Sequence, residues 1–136
     1  PKTISCSFFF SKHDLLNLKK KFLNLKIGIS VNPKNFNKKY FNSIKFLVDV
    51  FYFDLNVYTK KKITTYLFED SIKQIKYLKK LKIPVYVGGG INNNNAKKII
   101  NKISPNGLDI SRSLKNKNND LSSFKINKLQ TSLLIE

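Results

Sequence analysis

At 136 residues and 15.8 kDa the chain is long enough for one domain with a real core, but short of the ~200 residues that eight strand–helix units need. A single cysteine, Cys6, excludes an internal disulfide and a multi-cysteine zinc site, and no apolar run approaches the ~18 residues of a membrane span or signal-peptide core, so a soluble, cytoplasmic protein without membrane contact is expected. The net charge is +18, yet Arg112 is the only arginine, Ala96 the only alanine, and tryptophan is absent. That profile reads as the codon bias of an AT-rich genome rather than as a nucleic-acid surface, which keeps arginine for bidentate contacts and intersperses aromatics.

Strands and helices alternate along the chain, which predicts a parallel sheet with helical crossovers. Thr3 to Phe10 reads as the first strand, and Leu15, Leu18, Phe22 and Leu25 give a helix from about Asp14. Lys26 to Val31 is the second strand. Pro33 to Tyr40 is a polar loop, after which Asn42 or Ser43 caps a short helix holding Ile44 and Leu47. Val48 to Leu55, rich in β-branched and aromatic residues, suits a strand buried on both faces. A Lys-rich loop leads to a helix from about Glu69 to Leu81 with Ile72, Ile75, Leu78 and Leu81 on one stripe. Pro84 to Val87 is the fourth strand, Asn93 to Ile103 a helix, and Gly107 to Ile110 the fifth strand. Asp120 caps a last helix with Leu121, Phe124 and Leu133 facing inward. The sum is five βα units in a single domain of reduced (β/α) barrel type.

Residues 84–112 carry the most chemistry. The fourth strand runs into Gly88, Gly89 and Gly90, and Asn92 and Asn93 follow as possible helix caps. Glycines at a strand end let backbone N–H groups approach an anion at the positive end of a helix dipole. The next strand ends in Asp109, Ile110, Ser111 and Arg112, so two successive βα loops face one ligand, as in the phosphate site of a (β/α) barrel.

Gly89, Gly90, Ile91, Asn95, Pro105 and Leu108 to Ser111 resemble, in identity and spacing, the closing segment of phosphoribosylanthranilate isomerase. Val48, Asp49 and Phe51 to Asp54 resemble that family's sixth strand, with Phe68 and Glu69 where a Phe-Asp pair follows it. Lys2 to Ser7 resembles its opening Lys-x-Cys-Gly strand, with Ser7 in place of the glycine, and Pro33, Lys34 and Asn37 to Phe41 its basic loop. Lys60, Lys61 and Lys62 stand in place of a glycine-rich loop, and roughly three barrel units are missing.

The resemblance implies the Amadori rearrangement of N-(5-phosphoribosyl)anthranilate in tryptophan biosynthesis, without metal or organic cofactor. Aldose-to-ketose isomerisation needs an acid at the ring oxygen and a base for the neighbouring carbon's proton. By the resemblance Asp54 is the acid and Cys6 the base. Gly89, Gly90, Ser111, Arg112 and Ser113 hold the phosphate, and Lys39 meets the anthranilate carboxylate.

Structural readings stand beside these. Cys6 suits an inert core thiol, Asp54 a loop cap, the glycines a tight turn and His13 a solvated cap. The first 45 residues match either strands one and two of the barrel or strands four and five, and in the second case Cys6 is not catalytic. In both, an open parallel sheet leaves edges and an apolar face unsatisfied, so self-association is expected. Ribulose-phosphate 3-epimerase has a similar Gly-Gly-Ile, Asn pattern but needs an aspartate where this chain has Gly88. A degraded barrel kept as a phosphate- or RNA-binding module is the non-enzymatic alternative.

Overall fold

A computed structural model describes residues 2–6, 10–55 and 65–134, and for residues 65–68 the backbone alone. Ser7 and Lys60 to Lys62 lie outside the described residues, as does the far end of the expected first strand. The elements are β1 (Thr3–Cys6), α1 (Lys12–Lys21), β2 (Lys26–Val31), α2 (Lys38–Ile44), β3 (Val50–Asp54), α3 (Thr65–Lys80), β4 (Val85–Gly88), α4 (Ala96–Ile103), β5 (Gly107–Leu108) and α5 (Ser123–Leu134). Every strand pair is parallel and the order is β1-β2-β3-β4-β5. The fold is the reduced α/β barrel type expected from the sequence.

This order separates the two ways of placing the first 45 residues. In a closed ring of eight, strand one lies beside strand eight, so the first placement would set β1 against β5. Instead β1 and β5 are opposite edges and β2 pairs directly with β3, as in an uninterrupted run of five strands.

Right-handed crossovers between successive neighbours put every helix on the same face of the sheet. That face is the core: Ile27, Ile29, Val31, Phe51, Phe53, Val85 and Val87 pack against Leu15, Phe41, Ile44, Ile75, Leu78, Ile99 and Leu129 from the helices. The stripe expected on α3 is present, with Ile75 and Leu78 fully buried and Ile72 and Leu81 packed at its margin. Asp49 ties the lower end of the sheet together, accepting from the Ile27 N–H at 2.7 Å and pairing with Lys19 of α1 at 2.9 Å. None of the described helices is long and apolar enough to cross a membrane.

At the starts of α1, α2 and α5 a local cap prevails over the sequence reading. Ser11 and Asp14 form a reciprocal capping box, so α1 begins at Lys12. The Asn37 side chain accepts from the Tyr40 N–H at 3.1 Å, which starts α2 at Lys38, ahead of Asn42 and Ser43. In the last helix Ser122 rather than Asp120 supplies the cap, accepting from the Lys125 N–H at 3.4 Å. Leu121 is drawn instead into an isolated antiparallel bridge with Lys115. Leu121 and Phe124 are therefore 65% and 76% exposed, not inward, and Leu129 is the buried residue of α5.

The other face of the sheet is not the apolar surface expected. Thr3, Ser5, Lys26, Gly28, Ser30, Val50, Tyr52, Asp54, Tyr86, Gly88 and Gly107 alternate with the core residues along the strands and so occupy it, with Val50 its one aliphatic side chain among the described strands. Tyr52 lies over Gly28, where a methyl group would stand 2.5 Å from its Cε2, and Tyr86 lies against Gly107. The two rings meet edge to face, centroids 5.9 Å apart.

Phe51 is fully buried and makes an edge contact with Phe41 at 5.5 Å. Replacing it with alanine is expected to cost about 3–5 kcal/mol, read as a lower urea midpoint at unchanged slope.

Candidate functional site

The carboxyl ends of β3, β4 and β5 bring three residues into one row. Asp54 is the register partner of Gly88, and the Asp109 N–H, 2.8 Å from the Val87 carbonyl, continues the ladder just beyond β5. Asp109 leans over Gly88, where a methyl group would stand 3.4 Å from its Oδ2 and 3.1 Å from its carbonyl oxygen. A side chain at position 88 would have to displace Asp109. The aspartate that an epimerase needs there is missing and its space is taken.

A cavity of about 510 Å³ lies above this row, lined by Asp54, by residues 89–92 after β4 and by residues 109–113 after β5. The two loops that the sequence pairs do face one another. Gly89 and Gly90 have φ of 89° and 73°, a left-handed conformation that disfavours any side chain. Asn92 and Asn95 both donate from their amides to the Gly90 carbonyl, at 3.4 and 3.0 Å, and the Asn95 oxygen accepts from the Asn92 N–H at 2.9 Å. These side chains hold the glycine turn, and α4 begins at Ala96 rather than Asn93. The expected helix terminus directly behind the glycines is thus displaced by residues 91–95. The Ser113 hydroxyl donates to the Ile91 carbonyl at 2.6 Å, binding one loop to the other. Ser111 and Arg112 line the same cavity and are exposed.

A second cavity, of about 260 Å³, shares Asp54, Gly89 and Asp109 with the first and extends over Ser30, Asn32 and Tyr52 on β2 and β3. Asp54 and Asp109 therefore stand between two adjoining spaces.

Cys6 is not brought to this site. It is 3% exposed, on the helix-covered face, and burial pushes its thiol pKa up, which keeps it protonated at neutral pH. Its register runs through Ile29 to Phe51, two strands across and three residues short of Asp54, roughly 14 Å away at ordinary sheet spacings. Lys39 is exposed on the first turn of α2 and lines neither cavity, and His13 is exposed at the start of α1. Among the described residues no group of three or more His, Cys, Asp or Glu side chains is placed to hold a metal.

Sequence reasoning missed Asp109, Ser30, Asn32 and Tyr52 as site residues. Asp109 was within reach, as a carboxylate at a strand end beside Ser111. Tyr52 was not, because its role follows from the uncovered face of the sheet.

The whole architecture recurs in solved structures. The chain superposes on the N-(5'-phosphoribosyl)anthranilate isomerase of Pyrococcus furiosus with a TM-score of 0.61 and 18% identity, over 97% of this chain and 62% of that one. For the phosphoribosyl anthranilate isomerase of Thermococcus kodakaraensis the values are 0.69 and 14%, over 99% and 64%. For TrpF of Jonesia denitrificans they are 0.65 and 12%, over 97% and 59%. The chain shares the fold of part of these phosphoribosylanthranilate isomerases. The chain spans between 59% and 64% of the length of these structures. No protein-family model and no curated protein matches it.

Gly89→Ala forces a side chain into a left-handed turn and is expected to cost about 1–2 kcal/mol. Ser113→Ala removes the tie to Ile91 and should cost about 1 kcal/mol. Urea titrations of both variants and of the double variant check these values, and a summed effect different from the two single ones measures the coupling between the loops.

Proposed function

We propose that the chain is a shortened phosphoribosylanthranilate isomerase, catalysing the Amadori rearrangement of N-(5-phosphoribosyl)anthranilate to 1-(2-carboxyphenylamino)-1-deoxyribulose 5-phosphate in the cytoplasm. The observation that carries this reading is the row Asp54–Gly88–Asp109 beneath a cavity closed by the two loops after β4 and β5, within this fold. Fold alone does not give a reaction, so the weight rests on the site.

In this reading the phosphate lies against the backbone of the Gly89, Gly90 turn and of Ser111 to Ser113, with Arg112 adding the charge. The Ser113 hydroxyl is committed to Ile91, so Ser113 contributes through its main chain. The sugar then lies over Gly88, whose bare α-carbon leaves room between two carboxylates. Asp54 protonates the ring oxygen as it opens, and Asp109 takes the place of Cys6 as the base that removes the neighbouring carbon's proton. Lys39 meets the substrate in this reading only if a second copy or a moving loop brings it there. Self-association through the β1 and β5 edges belongs to the same proposal, and sedimentation showing a monomer at micromolar concentration would remove that part alone.

The distance of Cys6 from Asp54 favours a second reading, a phosphate-binding module without turnover. Fluorescence of phosphoribosylanthranilate consumption separates the two. Asp54→Asn should reduce turnover by at least about a hundredfold while leaving affinity for ribose 5-phosphate within about twofold. Cys6→Ala should retain activity. Binding of ribose 5-phosphate with no turnover in the native protein would establish the module, and affinity falling steeply with salt for RNA alone would support neither.

A further inference from the structure

We propose that the end of the sheet opposite the site docks on an anionic lipid bilayer, with Leu23 and Phe46 entering the headgroup layer. This surface lies apart from both cavities and depends on nothing that the site binds. In a parallel sheet with returning helices, the helix ends and the strand starts share one end of the molecule. There the turn from α1 to β2 carries Phe22 and Leu23, and the turn from α2 to β3 carries Phe46. Lys19 fixes these turns side by side, since its Nζ donates to the Leu25 carbonyl at 2.8 Å in one and to Asp49 at 2.9 Å in the other. Leu23 is 85% exposed and Phe46 87%, more than any other large apolar side chain among the described residues.

Charge completes the surface. Lys2, Lys20, Lys21, Lys45, Lys80 and Lys82 lie at this end, at a strand start, in last helical turns or in the turns that follow. Among the described carboxylates only Asp49 is here, and Lys19 and the Ile27 N–H hold it. Asp14, Asp54, Glu69, Asp70, Asp109 and Asp120 lie at strand ends, ahead of helices or in their first halves. A helix dipole accounts for lysine in a last turn, and codon bias for lysine in general. Neither removes carboxylates from one end, nor turns a leucine and a phenyl ring outward. At both turns a cation sits against the ring: Lys21 Nζ is 5.7 Å from the Phe22 centroid and Lys45 Nζ 5.0 Å from that of Phe46. An anionic membrane interface offers hydrocarbon to such tips and phosphate to the ammonium groups around them. RNA fits less well, because Leu23 has no ring for a base to stack on and Arg112 lies at the other end. A second copy would bring lysines against lysines. The contact is peripheral, and both cavities of the site stay open to water.

Co-sedimentation of the intact chain with vesicles at fixed salt tests this. Vesicles of phosphatidylcholine and phosphatidylglycerol in equal parts should bind it about tenfold or more tighter than phosphatidylcholine alone, and less tightly as salt rises. Leu23→Ser combined with Phe46→Ser, which keeps the charge, should weaken that binding about tenfold or more. Phe124→Ser, which removes an exposed phenyl at the start of α5, should not. Lys20→Gln, Lys21→Gln and Lys45→Gln together should weaken it about fivefold or more beyond the equal charge loss of Lys12→Gln, Lys98→Gln and Lys117→Gln, which lie at helix starts or in the loop before α5. The chain has no tryptophan, so Phe46→Trp reports on its own surroundings, and its emission should move to the blue on anionic vesicles. No preference for those vesicles overturns the proposal. So does binding that the serine changes leave intact, or that the two lysine sets reduce alike, which is adsorption of a polycation anywhere on its surface. An unshifted Phe46→Trp emission on vesicle-bound protein overturns it too. Binding to polyuridylate but not to vesicles would assign this end to RNA instead, and dimers lost with the serine changes would assign it to a second copy. None of these results touches the reading of the site.

Discussion

The architecture depends on burial of one face of a parallel sheet. Each strand end is followed by a helix that must cross back on the same side, so aliphatic and phenyl side chains such as Ile29, Phe51 and Val85 concentrate beneath the helices. The opposite face is left without cover. Lys26, Val50 and Asp54 lie there with serine, threonine, glycine and two tyrosines, whose rings lie over Gly28 and Gly107 instead of standing outward. A bare glycine gives the neighbouring ring a flat bed, and a phenol tolerates partial exposure where leucine would present only apolar surface.

The same asymmetry makes the site. Side chains at the ends of β3 and β5 emerge on the uncovered face, and Gly88 keeps the strand between them clear. The glycine turn beyond β4 would be loose by itself. Its conformation is held by two asparagine amides on the Gly90 carbonyl and by the hydroxyl of Ser113 on Ile91. Polar side chains thus spend their hydrogen bonds on the loop's own backbone, on the Gly90 and Ile91 carbonyls and on the Asn92 and Asn94 N–H groups.

Much of this was legible in the chain. Hydrophobic periodicity marked β2 and the α3 stripe, and the Gly-Gly-Ile and Asp-Ile-Ser segments marked two loops that turn out to share a cavity. Helix starts were less legible because competing side-chain acceptors lie within a few residues of one another, as with Asn37 against Asn42, or Ser122 against Asp120. Cys6 shows the limit most clearly. Its local motif says nothing about which face of β1 the thiol occupies or how many strands separate it from Asp54.

Sequence by itself determined the alternation of strands and helices, the parallel sheet, and the pairing of the loops after β4 and β5, because these follow from local periodicity and from glycine's freedom at positive φ. Only the tertiary structure decided strand order, the uncovered face with Tyr52 and Tyr86 upon it, the row of Asp54 and Asp109 about Gly88, and the exclusion of Cys6. Those depend on which strands become neighbours, and a contact between residues far apart in the chain leaves no trace in the spacing of either one.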